Sequence, residues 1–146
     1  MDVHYKLVAH QKKFLTSNKP VVVLNCGRSS GKSYVASLVA ALRLKEGKRI
    51  FVWAQDFKAL SENLMVEIIK RLDEMHVLYK YNANAHKITC GKTGVIYGFS
   101  YENIETCRGF TEIEIAICDE IATAPSNFLG TMAFCMRGKG LVPKIY

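Results

Sequence analysis

The chain has 146 residues, 49% apolar and 23% charged, proportions of a globular protein and not of a disordered one. Lys and Arg number 20 against 13 Asp and Glu, a formal charge of +7, and no apolar run approaches the ~20 residues of a bilayer span. The expectation is a single domain over 1–146, cored without disulfides, cytoplasmic and without a membrane partner, because Met1–Lys6 is no apolar leader.

The charge is uneven. Residues 1–73 hold 13 basic and 6 acidic groups, whereas residues 74–146 hold seven of each. A basic half suits a polyanion such as nucleic acid or a nucleotide; a solvated surface with surplus Lys is the plainer account. The cysteines, at 26, 90, 107, 118 and 135, are odd in number and include no C-x2-C pair. Cys90 and Cys118 lie in apolar runs and read as small core residues of a protein from a reducing compartment.

Val21-Val22-Val23-Leu24-Asn25, bounded by Pro20 and Gly27, reads as a short buried strand. Residues 27–31 form a loop. Residues 32–46 read as a helix, with Val35, Leu38, Val39 and Leu42 on one face and Gly47 as its stop. Residues 50–54 are a second strand. Leu60, Leu64, Ile68 and Leu72 recur every four residues, which predicts an amphipathic helix over 58–76. Alternation in 87–90 and 95–99, around Gly91-Lys92-Thr93-Gly94, predicts a β-hairpin. Residues 112–118 are a further strand that ends in Asp119-Glu120. Pro125 precedes a helix over 126–136. Residues 141–146 begin another strand, against which Pro143 argues. The alternation predicts an α/β domain with a mostly parallel central sheet flanked by helices. A chain that stops at the start of an element reads as part of something longer.

The most informative stretch is Cys26-Gly27-Arg28-Ser29-Ser30-Gly31-Lys32-Ser33. A strand, a loop of small residues, Gly-Lys-Ser and a helix follow in the order of a Walker A phosphate loop. Small residues let successive N–H groups turn inward around phosphate oxygens, and the helix N-terminus adds partial positive charge. In that role Lys32 bridges the β- and γ-phosphates of ATP and the Ser33 hydroxyl ligates Mg2+. Gly27, Arg28, Ser29, Ser30 and Gly31 line the nucleotide. The strict pattern wants Gly where Cys26 stands, so either the loop begins differently or Gly27 supplies the turn. A second Gly-Lys-Thr, at 91–93, lacks the upstream loop and reads as a hairpin tip.

Ile113-Glu114-Ile115-Ala116-Ile117-Cys118-Asp119-Glu120 looks like a Walker B element, an apolar strand with two carboxylates at its end. In a parallel sheet that end faces the phosphate loop. Asp119 then holds the Mg2+ shell, and Glu120 polarises the attacking water as general base. Arg28 is a candidate for the γ-phosphate in the transition state, with a plain surface role as its alternative.

Taken together, these motifs resemble the N-terminal ATPase part of a tailed-phage terminase large subunit, the DNA-packaging motor. Four features carry the likeness in order: Gln11 upstream of the loop, the 26–33 loop itself, Tyr97-Gly98-Phe99 with Arg108-Gly109-Phe110, and Cys118-Asp119-Glu120-Ile121-Ala122. Terminases often carry Gly-Gly-Arg-Gly-Ser-Gly-Lys-Ser, from which this chain departs at Cys26 and Ser29. The resemblance implies a P-loop NTPase sheet of the additional-strand, catalytic-glutamate type. It implies Gln11 reading adenine, with an exposed polar residue on an N-terminal helix as the plain alternative; Arg108 is a candidate to sense nucleotide or touch a neighbouring subunit, or else a loop Arg beside Gly109. It implies double-stranded DNA, a capsid portal and a small terminase subunit as partners, a homo-oligomeric ring, and the host cytoplasm. A terminase nuclease domain and a coupling segment have no counterpart in these residues.

Helicase-like ATPases share Gln, Lys-Ser and Asp-Glu, but usually continue with Ala-Asp or His, where this chain has Ile121-Ala122. A nucleotide-binding module without turnover is the third reading. Trp53 reads as a packed aromatic, and Lys45, Lys48 and Arg49 as contacts to a DNA backbone or as a solvated helix end.

Overall fold

A computed structural model describes residues 4–138, 140 and 142–146. Helix α1 (Ala9–Thr16) precedes the phosphate-loop segment. Helix α2 (Lys32–Lys45) follows it, and its residues 35–41 are buried on every side, wider than the single predicted face. Gly47 ends it with φ 81°, a left-handed stop that glycine takes without strain. Strand β1 (Arg49–Ala54) comes next.

The predicted helix over 58–76 is real but not uniform. It runs as α3 (Phe57–Ala59), a π turn (Leu60–Leu64) and α4 (Met65–Glu74). Asp56 caps it, Oδ1 accepting from Ala59 N–H at 2.7 Å. The π turn has a physical reason in the spacing. Four-residue steps on an ideal α-helix rotate a side chain by about 40° each. The wider i→i+5 closure takes up part of that drift. Leu60, Leu64, Ile68 and Leu72 all stay buried as a result.

Strands β2 (Lys80–Asn82), β3 (Lys87–Cys90) and β4 (Gly94–Ser100) form an antiparallel meander, with the second Gly-Lys-Thr in the β3–β4 turn. A 3-10 segment (Tyr101–Gly109), strand β5 (Ile115–Cys118), a 3-10 turn (Ile121–Thr123), helix α5 (Phe128–Cys135) and strand β6 (Lys144–Ile145) complete the order. The sheet runs β2-β3-β4-β1-β5-β6, parallel from β4 through β6. Alternation along β1 sends Ile50, Val52 and Ala54 to a core under α1, α2 and α4, and Phe51 and Trp53 to one under α5. Trp53 is fully buried, stacked on Tyr101 and Phe99, so it is a packed aromatic.

The strand expected over 21–25 is reduced to one parallel bridge, Val21 to Ile145. Its partner β6 is two residues long, so only Val22 N–H to Ile145 O and Ile145 N–H to Pro20 O, both 2.9 Å, tie it to the sheet. The strand expected over 112–118 begins only at Ile115, after a left-handed Glu112 with φ 60°. β6 therefore lies between the acidic strand and the phosphate-loop segment, which is the additional-strand arrangement.

Glu114 clamps the amino ends of β1 and β5. Its Oε1 accepts from Lys48 Nζ at 2.9 Å and its Oε2 from Arg49 N–H at 3.0 Å. Lys48 is therefore engaged in the sheet and not left for a nucleic acid, and Arg49 reaches Thr111 O at 3.4 Å. Partial burial works to raise the Glu114 pKa, but Lys48 and the Arg49 N–H outweigh it and hold the carboxyl below its usual value. A depressed carboxylate adds stability above its unfolded pKa and loses it as pH falls through the folded one. Glu114→Gln should cost about 1 kcal/mol at neutral pH, and the two proteins should converge in acid. Urea midpoints at the two pH values check this; equal midpoints at neutral pH would deny the clamp any energetic weight.

Candidate functional site

The parallel strands deliver their carboxyl ends to one edge of the sheet, where the loop and the acids meet. Lys32 folds back over the loop, its Nζ donating to Cys26 O and Gly27 O, both at 2.8 Å. Ser33 Oγ donates to Asp119 Oδ2 at 3.5 Å, across 86 residues of sequence. A cleft of about 830 Å3 joins Cys26, Arg28 and Lys32 to Asp119 and Glu120, with Leu129 and Ala133 of α5 as an apolar wall. That volume lies within the usual range of ligand clefts, about 300–1,000 Å3. Arg28 is exposed and has no carboxylate partner among the described residues.

The loop takes its turn at Ser29, φ 59°, and Gly31, φ 79°. Cys26 and Gly27 have no left-handed φ, so the loop begins without the glycine that the strict pattern wants, and Gly27 does not supply the turn. Gly31 is required twice over. Its φ is left-handed, and a Cβ there would lie 2.4 Å from Gln11 Nε2. Gln11 is buried and spends its amide on protein backbone. Its Nε2 donates to Ser30 O at 3.4 Å and Gly31 O at 3.3 Å, while its Oε1 accepts from Val8 N–H at 3.1 Å. The His10 ring lies beside it, Nε2 3.2 Å from Ser30 O.

The acidic side is fixed from beneath. Asp119 N–H donates to Trp53 O at 3.0 Å, and the Tyr101 hydroxyl donates to Asp119 O at 2.9 Å. Burial pushes the Tyr101 hydroxyl far above its usual range and the Cys118 thiol up to about 12, so both remain protonated. Sequence reasoning missed Tyr101; its only signal is its place just past β4, the parallel neighbour of β1. Burial, then the Glu120 charge, raises the Asp119 pKa against the pull of hydrogen bonds and Lys32. Glu120 is exposed and left-handed, φ 52°, with Thr123 N–H and Oγ1 both on its carbonyl. Arg108, by contrast, is paired with Glu105 within its own turn.

The donor set suits Mg-ATP. A hydroxyl and a carboxylate are the hard oxygen ligands Mg2+ takes one or two at a time beside water and phosphate. The Ser30 hydroxyl is buried in the loop with no partner among the described residues, a donor left for an anion. The Lys32 ammonium holds loop carbonyls that a phosphate oxygen can replace.

Fold and site define an ATPase-type P-loop domain. The family model described as RNA cytidine acetyltransferase NAT10/TcmA, helicase domain, matches residues 23–139, and the chain belongs to that family. Its sequence has no significant match among curated proteins. Among solved structures, a large terminase from a thermophilic bacteriophage superposes with a TM-score of 0.79 at 19% identity, over 97% of this chain and 38% of that one. The large terminase ATPase domain of Thermus phage P74-26 gives 0.78 at 18% identity, over 97% and 64%. The thermophilic phage enzyme described as in complex with ATP-γ-S gives 0.77 at 22%, over 94% and 36%. The fold is thus that of the terminase ATPase domains which the motifs resemble, and the chain spans between 36% and 64% of these proteins.

Two outcomes follow from this geometry. Gly31→Ala should destabilise the protein by about 1–2 kcal/mol through left-handed strain and the Gln11 clash, and adding Gln11→Ala should recover only the clash. Thermal melts of the parent and the two variants check this; a Gly31→Ala protein as stable as the parent would sink it. Asp119 carries the opposite linkage to Glu114. Its raised pKa means the folded state holds the proton more tightly, so stability falls as pH rises through that pKa. With divalent ions chelated, Asp119→Asn should therefore be more stable than the parent at neutral pH. Denaturation midpoints in chelator read this directly, and a less stable variant would contradict the burial argument.

Proposed function

We propose that this domain binds Mg-ATP at the 26–33 loop and hydrolyses it to move a nucleic acid, and that its work is translocation of double-stranded DNA into a viral capsid. The observation that carries the reading is the Ser33 hydroxyl 3.5 Å from the Asp119 carboxylate, with Lys32 before one and Glu120 after the other. Loop N–H groups and the α2 N-terminus hold the phosphates. Lys32 leaves the Cys26 and Gly27 carbonyls for the β- and γ-phosphate oxygens. Ser33 and Asp119 would hold Mg2+, which when bound would neutralise phosphate charge. Glu120 is exposed, its carboxylate has no hydrogen-bond partner among the described residues, and it orients the attacking water and takes its proton. Arg28 faces the same cleft and offsets charge that develops on the γ-phosphate. Gln11 spends its amide on Val8, Ser30 and Gly31 and so braces the loop backbone. As a packaging motor the protein works as a homo-oligomeric ring with a capsid portal and a small terminase subunit.

The family match to a helicase domain favours a second reading, in which the same chemistry serves a helicase-type ATPase acting on RNA. Stimulation of turnover by duplex DNA or by RNA separates the two.

The test is ATP turnover and nucleotide affinity measured on the same samples. Lys32→Ala should abolish binding. Glu120→Gln should keep binding and lower turnover by about 10²–10⁴-fold. Parent protein that fails to bind ATP would overturn the reading.

A further inference from the structure

We propose that the exposed face of α1 is a binding surface for the phosphodiester backbone of a nucleic acid, joined to the phosphate loop through His10 and Gln11. The inference names the partner surface of the function proposed above, and rests on that reading for its link to ATP.

The first observation is where the charge lies. The first 45 residues contain eight Lys or Arg and one acid, Asp2, whereas residues 46–146 carry twelve of each sign. The chain's entire surplus of seven positive charges therefore belongs to α1, its flanks and the phosphate-loop helix.

The second is which cations are already engaged. Lys48 is bound to Glu114, Arg43 to Glu46, Arg71 to Glu67 and Glu74, and Arg108 to Glu105. Every ion pair among the described residues thus lies beyond residue 42. Lys12 and Lys13 on α1, with Lys6 before it and Lys19 after it, are exposed and carry no acidic partner among the described residues. The sequence pointed instead to Lys45, Lys48 and Arg49, two of which the fold employs.

The third is the shape of the helix. α1 buries only Gln11 and Phe14, and Phe14 packs on Tyr146 inside the core. Its outer face is left to Ala9, His10, Lys12, Lys13 and Thr16. An interfacial membrane helix needs a broad apolar face, which this one lacks. Unpaired cations on a rigid short helix fit a phosphate backbone, where each neutralised phosphate releases a counterion.

The fourth is position. His10 Nε2 and Gln11 Nε2 both reach Ser30 O, and Gln11 also reaches Gly31 O. A polyanion on α1 therefore presses on the helix that holds the phosphate loop.

The experiment measures affinity of the full chain for fluorescein-labelled duplex DNA, single-stranded DNA and RNA across a salt series, with ATP affinity on the same samples. The parent should bind at least one of them with a clear salt dependence. Lys12→Glu with Lys13→Glu should weaken that binding about tenfold or more and reduce the duplex log–log salt slope by about 2. ATP affinity should be unchanged. Lys80→Glu with Lys92→Glu, on the far hairpin, changes net charge equally and should leave nucleic-acid binding nearly intact. If both pairs weaken binding alike, net charge and not this face is responsible, and the proposal fails. A parent that binds ATP but no nucleic acid overturns the proposal and leaves the ATPase reading standing. A parent that binds nucleic acid through α1 but no ATP does the reverse. Capture by anionic lipid vesicles instead of nucleic acid, lost in the α1 variant, would also overturn it. Lys12→Gln with Lys13→Gln repeats the test should the reversed charges unfold the helix.

Discussion

A strand of two residues sets the geometry of the site. β6 stands between the acidic strand β5 and the segment that leads into the phosphate loop. Neighbouring strands lie about 4.8 Å apart, so the two site-bearing segments are separated by roughly 10 Å. That gap is what the Ser33 and Asp119 side chains close from opposite sides. Without β6 the loop would press on the acids and leave no space for phosphate. With a further strand between them, hydroxyl and carboxylate could not share one ion. The parallel direction of these strands matters equally, since it brings both carboxyl ends to the same edge.

Much of this was legible in the sequence because it is local. A loop of small residues between an apolar run and a helix has only a few physical uses, and an apolar strand ending in two acids has fewer. The hairpin, the α2 stop at Gly47 and the buried leucine stripe are also local matters of periodicity and turn chemistry. What failed depends on partners. The Val21–Asn25 run has strand composition, yet its ladder is cut short by the length of β6, which no property of residues 21–25 reveals. β2 is Lys-Tyr-Asn, polar and exposed, and forms only because β3 offers it an edge. The hold of Gln11 on the loop and of Tyr101 on Asp119 spans 20 and 18 residues and exists only once the sheet has formed. The π turn had a trace in the sequence: an apolar spacing of four sustained over three steps is more than an unbroken α-helix keeps on one face.

The two acids show how adjacent residues of the same chemistry acquire different environments. Asp119 is partly buried, is anchored through its backbone to Trp53 and Tyr101, and faces Ser33. Glu120 is exposed and left-handed, and its charge acts on Asp119 beside it. The strain at Glu120 follows from the job of the turn. The chain must leave β5 sharply enough to present both carboxylates at the sheet edge, and the Thr123 contacts to its carbonyl keep it there. The proposed roles of metal ligand and proton acceptor suit these opposite settings, one more enclosed and one open to water.

The site is stiff on one side and adjustable on the other. Beneath the acids lies a close aromatic assembly: Trp53 against Tyr101, Phe99 and Phe128, with centroids 4.9–6.0 Å apart. Moving Asp119 means disturbing fully buried rings, which a packed core resists. The loop has no such floor. It is held by the Gln11 and His10 contacts at 3.2–3.4 Å, by a Lys32 ammonium resting on its own carbonyls, and by a single bridge to β6. These are long or exchangeable hydrogen bonds, and each breaks at small cost when a charged group replaces it. Adjustment to an anion therefore falls on the loop and on α1 behind it, while the acidic edge stays fixed as the reference against which they move.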